Sequence, residues 1–132
     1  MSKPVILCVD DEKAVLQSLR TQLMEAFGND YAYEAAEDAD EALEVIHELS
    51  EEDMSIILIV SDWLMPGMKG DEFLIRVHQQ FPNVIKILLT GQADELAIQR
   101  AKDHANLHCC LFKPWSEAEL IETLKSGLEQ LQ

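Results

Sequence analysis

Basic residues are scarce in this chain. Ten Lys and Arg stand against 25 Asp and Glu, for a formal net charge of −15. A surface so acidic is repelled by nucleic acid and by anionic membranes. Neither is expected as a partner of this domain, and any DNA-binding surface in its system would lie on another module or protein. Cysteine is sparse too: Cys8, Cys109 and Cys110 make an odd set with a vicinal pair. That is no disulfide framework; it fits a reducing compartment and cysteines used as core residues. No apolar run approaches the ~20 residues that cross a bilayer. The opening MSKPVILCVDDE meets acid too soon for a signal peptide, so a cytoplasmic protein is expected. With only five Gly and four Pro, no low-complexity tract or linker interrupts the chain. Neither a GxGxxG nor a P-loop occurs.

What is present is a 48% hydrophobic sequence of 132 residues, enough for a single domain over 1–132 with its own core. Five apolar segments alternate with amphipathic ones. The strand candidates are Val5 to Val9, Tyr31 to Ala36, Ile56 to Val60, Val84 to Leu89 and Leu107 to Phe112. Ile56 to Val60 is apolar at every position, as in a strand covered on both faces. Tyr31 to Ala36 is less apolar and suits an edge. Helical spacing predicts helices over Lys13 to Phe27, Asp40 to Leu49, Gly70 to Phe81 and, more weakly, Asp94 to Lys102. A last helix starts at a capping box of Ser116 and Glu119, with Trp115 and Leu120 placed as a hydrophobic staple. This alternation predicts an α/β fold: a doubly wound, flavodoxin-like parallel sheet of five strands in order 2-1-3-4-5, with five helices. Ligands of such folds sit beyond the carboxyl ends of the strands, near the switch point between strands one and three.

The residues at those ends carry the chemistry. Asp10, Asp11 and Glu12 follow strand one, Asp62 follows strand three, Thr90 and Gly91 follow strand four, and Lys113 follows strand five. Strands one and three are neighbours in the predicted order, so three aspartates converge. Clustered carboxylates raise one another's pKa unless a cation is present, and a hard, oxygen-seeking ion such as Mg2+ relieves the repulsion. Thr90 and Lys113 add what a purely structural metal would not need. A phosphoryl group could share its oxygens among the metal, the ammonium and the hydroxyl. A carboxylate in their midst is a competent nucleophile that yields an acyl phosphate. Asp62, at the end of the central strand and before a Gly-containing loop, is best placed for that role, with Asp10 and Asp11 as metal ligands.

Four pieces, in this order and spacing, resemble the receiver domain of the two-component response regulators: VDDE at Val9 to Glu12, SDWLMPGMKGDEF at Ser61 to Phe73, LLTG at Leu88 to Gly91 and KPW at Lys113 to Trp115. The resemblance covers essentially the whole chain. It implies that Asp62 is the phosphoacceptor, charged from the phosphohistidine of a histidine kinase or phosphotransfer protein. Asp10, Asp11, Asp62 and the Leu64 carbonyl would hold Mg2+, Thr90 would be the switch hydroxyl and Lys113 its partner. It also implies a cis Lys113–Pro114 bond, a downstream effector domain or protein that reads the surface around the fourth helix and fifth strand, and a capacity to homodimerise. One departure stands out: the family often has an aromatic three residues before the lysine, where this chain has Cys110. Phe112 is expected to face the other side of the strand from Cys110.

Two rivals differ in class. A Mg2+-dependent aspartyl-phosphate phosphatase needs a general acid close to the nucleophile, usually two residues on, where Leu64 stands. A degenerate receiver that serves only as a binding module would not need the acidic triad, Thr90 and Lys113 together. His47, His78, His104 and His108 fall outside the predicted cleft, the first three on helix surfaces. Met65 and Met68 are expected to pack the loop.

Overall fold

Apolar runs seek burial, and here they form the middle layer of a three-layer sandwich. The computed structural model describes residues 3–91 and 95–131. Its strands are β1 (Val5–Val9), β2 (Ala32–Ala36), β3 (Ile56–Asp62), β4 (Ile85–Thr90) and β5 (Cys109–Phe112). Its helices are α1 (Lys13–Phe27), α2 (Ala39–Glu51), α3 (Gly70–Gln80), α4 (Glu95–Ala105) and α5 (Glu117–Glu129). All pairings are parallel, and the sheet order is β2-β1-β3-β4-β5. β3 is central and β2 is an edge, as their hydropathy predicts.

Alternation along each strand divides the core in two. Leu7, Val9, Ile59 and Leu88 meet Ile46 of α2 and Phe73, Leu74 and Val77 of α3. Ile6, Cys8, Leu58, Val60 and Leu89 meet Leu16, Leu19 and Leu23 of α1 and Leu120, Leu124 and Leu128 of α5. Met65 is buried and Met68 packs on the first of these cores. Cys8 is fully in the core, whereas Cys109 and Cys110 are half-buried. Cys110 packs on one core and Leu111 lies in the other. Phe112, two residues past Cys110, therefore shares its side of β5, which corrects the expectation that it faces away.

Element ends differ from the hydropathy reading by a few residues, for one reason. Pairing, not apolarity, sets where a strand stops. β3 continues through Ser61 and Asp62 because Val9 and Leu89 pair with them. β4 runs on to Thr90 because Phe112 pairs with it. Asp62 and Thr90 thus close their strands rather than follow them. β5 begins two residues later than its apolar run, and α4 extends to Ala105, where Asn106 turns the chain at φ 52. Asp94, the expected start of α4, lies outside the described residues. The Ser116 hydroxyl caps α5 by accepting from the Glu119 amide at 3.0 Å. The Gly28 amide closes α1 on the Met24 carbonyl at φ 61, where a side chain would be strained.

One buried group escapes sequence reasoning. Lys86, in β4, is 1% exposed, and among the described residues no carboxylate bonds it. Its ammonium donates to the Val84 carbonyl at 2.7 Å and the Pro82 carbonyl at 3.5 Å, and lies 3.0 Å from His78 Nδ1. His78 is therefore no free surface residue: burial and the Lys86 charge lower its pKa. Burial pulls Lys86 from 10.5 to about 8. The sign of the consequence is definite. Between about 8 and 10.5 the unfolded chain holds this proton and the folded chain does not, so folding stability rises with pH across that window. Denaturant unfolding of wild type and Lys86→Met should show wild type gaining on the variant from pH 8 to 10. A pH-independent difference would contradict the assignment.

Candidate functional site

The carboxyl ends of β1, β3, β4 and β5 form one edge of the sheet, and the polar residues missing from the core gather there. Asp10 is wholly buried, Asp62 is 4% exposed and Thr90 is 2% exposed. Asp11 faces solvent. One carboxylate oxygen each from Asp10, Asp11 and Asp62 lies within 4.8 Å of the others. All donors in this set are hard oxygens, and one carboxylate opens to water. Such a set fits Mg2+, which keeps several of its waters and demands little protein cage.

Lys113 reaches into the cluster from the end of β5. Its ammonium donates to Asp10 Oδ2 at 2.8 Å and stands 3.2 Å from Asp62 Oδ1. Its own amide donates to the Thr90 carbonyl at 2.8 Å, which fixes these two expected site residues to each other. The Lys113–Pro114 bond is cis, as expected. Asp10 is not the N-cap of α1. That position is Glu12, whose amide donates to Asp10 Oδ1 at 2.9 Å, so both Asp10 oxygens are held in place.

The charges follow from this packing. Burial and the neighbouring Asp10 charge push the Asp62 carboxyl above its ordinary pKa, with a smaller push from Asp11, while Lys113 opposes them. For Lys113, burial acts downward, but its hydrogen bond to Asp10 and the charges of Asp62 and Asp10 outweigh it, leaving the ammonium above its ordinary value. The lysine is a fixed cation, and Asp62 is a desolvated carboxylate with excess basicity. That is the condition in which a carboxylate attacks well.

The loop after Asp62 is shaped by close backbone approach. The Trp63 amide donates to the Leu89 carbonyl and its carbonyl accepts from the Gly70 amide, each at 2.8 Å. A Cβ on Gly70 would run into the Asp62 carbonyl oxygen and lie 2.8 Å from Trp63 Cα, so α3 can begin here only on glycine. Leu64, two residues past Asp62, has an exposed side chain. Asp10, Asp11, Asp62 and Lys113 are thus brought together, with Thr90 tied to them through the backbone.

Three residues near the site carry no local signal in the sequence. Asp71 is 4% exposed, and its two oxygens accept from the Trp63 indole at 3.2 Å and the Arg100 guanidinium at 2.8 Å. An acid in the first turn of a helix and an arginine on another helix each read as ordinary surface residues. Only the tertiary fold pairs them.

The comparisons agree with the geometry. The response regulator receiver domain family matches residues 6–125. Chemotaxis protein CheY-3 of Vibrio cholerae is 28% identical, over 96% of this chain and 92% of its own length. The hydrogenase transcriptional regulatory protein HoxA of Cupriavidus necator is 32% identical over 94% of this chain, and the match covers only 24% of that regulator. The chain therefore spans about a quarter of that relative's length. The signal receiver domain of an HD domain-containing protein from Pseudomonas fluorescens superposes with a TM-score of 0.85 at 33% identity, over 98% of this chain and 90% of that one. A CheY-like receiver domain protein from Methanospirillum hungatei gives 0.85 at 30% identity, over 98% and 96%. With the strand order, the acidic edge and the family match in accord, this chain belongs to the response regulator receiver domain family.

Proposed function

We propose that this chain is a phosphorylation-controlled switch in which Asp62 accepts a phosphoryl group from the phosphohistidine of a histidine kinase or phosphotransfer protein. The observation that carries the reading is the Asp62 carboxylate: nearly buried, with raised pKa, 3.2 Å from a lysine ammonium and grouped with two further carboxylates. In the transfer, an Asp62 oxygen forms a bond to phosphorus as the phosphorus–nitrogen bond breaks, and the imidazole leaves with the electron pair. Lys113 offsets the charge on the phosphoryl oxygens, and the Thr90 hydroxyl donates to one of them. Asp10, Asp11, Asp62 and the Leu64 carbonyl would hold Mg2+, which when bound neutralises the acidic cluster and polarises the phosphoryl oxygens. Leu64 offers no general acid for turnover of outside phosphoesters.

The output lies around α4 and β5. β5 is an edge strand, and Phe112 on it and Leu96 on α4 are 51% and 80% exposed. A partner surface or effector domain would read this region. Hybrid signal transduction histidine kinase D of Dictyostelium discoideum matches 99% of this chain within 8% of its own length. Such contexts support a kinase as donor and a larger protein as reader. The charge of −15 argues against nucleic acid as a direct ligand.

Intact mass after incubation with Mg2+ and a small acyl phosphate separates the readings. A hydroxylamine-labile phosphoryl adduct supports the switch. Turnover of diverse phosphoesters without net labelling would instead indicate a phosphatase. No adduct from any donor would leave a binding module.

A further inference from the structure

The helix that borders the expected output surface buries only small side chains in full. The buried residues of α4 are Ala97, Ala101 and Ala105, and an alanine methyl removes only a small area from water. Of its two larger apolar side chains, Ile98 is partly buried against one core and Leu96 is 80% exposed. Beside that small apolar seat stands a strong polar tether. Arg100 of α4 donates to Asp71 Oδ2 at 2.8 Å, and Asp71 is a nearly buried carboxylate in the first turn of α3. A charge-assisted bond to a desolvated carboxylate is among the stronger side-chain contacts available.

The other Asp71 oxygen takes the Trp63 indole N–H, and Trp63 is the residue next to Asp62. The Trp63 backbone in turn is clamped on both sides. Its amide holds the carbonyl of Leu89, the neighbour of Thr90, and its carbonyl holds the Gly70 amide where α3 packs on the Asp62 backbone. The Lys69 ammonium lies 5.8 Å from the centre of the indole and adds a cation–π contact. An unbroken set of short contacts therefore runs from the backbones of Asp62 and Leu89 through Trp63 and Asp71 to Arg100.

We propose that Asp71 is a positioning residue that couples the state of Asp62 to α4, by gripping the Trp63 indole with one oxygen and the Arg100 guanidinium with the other. The proposal rests on Asp62 being the phosphoacceptor, and deepens that reading by naming the link to the output helix. A shift of the Asp62 or Leu89 backbone moves the Trp63 clamp. Asp71 follows its indole partner, and α4 follows Arg100. Coupling is reciprocal, so releasing Arg100 from Asp71 uncouples the helix without touching any group in the acidic cluster.

The test is hydrogen exchange of the peptide spanning 95–105, before and after labelling with Mg2+ and a small acyl phosphate, with intact mass recorded on the same samples. Wild type, Arg100→Met and Arg100→Lys are compared. The coupling predicts a change of about fivefold or more in α4 exchange on labelling of wild type. Arg100→Met takes the same adduct with little change in α4, and Arg100→Lys, which keeps a cation for Asp71, recovers part of the response. Equal adducts with the same α4 change in wild type and Arg100→Met would overturn the coupling and leave the phosphoacceptor reading intact. A wild-type chain that takes no adduct would remove both. Should Arg100→Met fail to fold, Arg100→Lys against wild type decides alone: an undiminished α4 response there overturns the proposal.

Discussion

Replacing Lys113 with methionine is expected to slow phosphoryl labelling by about 100- to 1000-fold, the usual loss when one preorganised charge-stabilising group is removed from a closed site. Among the described residues the ammonium is the only cation paired with Asp62, at 3.2 Å, and it also holds Asp10 at 2.8 Å. Methionine keeps the length of the side chain and removes the charge, so packing around β5 survives. The same change leaves two nearly buried carboxylates facing each other. In cation-free buffer at neutral pH it should cost about 2 kcal/mol of stability, below the full value for breaking a buried pair because the cleft mouth is open at Lys113 and Asp11. The pH dependence has a definite sign. Asp62 already titrates above its ordinary value, and without Lys113 it rises further. A carboxyl raised in the folded state contributes stability that is present in acid and lost as pH climbs through its folded pKa. The deficit of Lys113→Met should therefore shrink toward acid and widen toward neutrality, which denaturant midpoints across pH will show. A labelling rate within a few-fold of wild type would remove Lys113 from the chemistry.

Gly70→Ala should unfold more readily than any surface substitution, by about 2–3 kcal/mol. The added methyl meets backbone on both sides, the Asp62 carbonyl and Trp63 Cα, so no change of side-chain rotamer relieves it. Either the start of α3 or the end of β3 must move. Both carry the site: the shift displaces Asp62 directly and stretches the Gly70 amide to Trp63 carbonyl bond. Labelling should slow along with the loss in stability, and the denaturant midpoint should fall at constant slope. A midpoint unchanged within error would mean that the two backbones can separate freely, and that the loop does not hold Asp62 in place.

The acidic site was legible in the sequence because its residues break a strong pattern. An all-apolar strand that ends on Asp62, or one that runs into Asp10 and Asp11, is conspicuous in one dimension. The strand order then brings the ends together. Strand limits were less legible, since Ser61, Asp62 and Thr90 are polar and join their strands only because neighbours offer backbone partners. The Asp71–Arg100 tether spans 29 residues and links two helices; neither residue breaks the local helical pattern, so nothing marked them. Lys86 was hidden for a related reason. Its acceptors come from a turn and an adjacent helix, and only the folded chain gathers them around a buried ammonium.

The central claim is that Asp62 is the phosphoacceptor, and the most direct measurement locates the label. The chain is treated with Mg2+ and a small acyl phosphate, trapped with hydroxylamine and digested, and the peptide from Ile59 to Phe73 is sequenced by tandem mass spectrometry. The account predicts a hydroxamate at Asp62 in wild type and none in Asp62→Asn. A modification at another carboxylate, or equal trapping in Asp62→Asn, would contradict it.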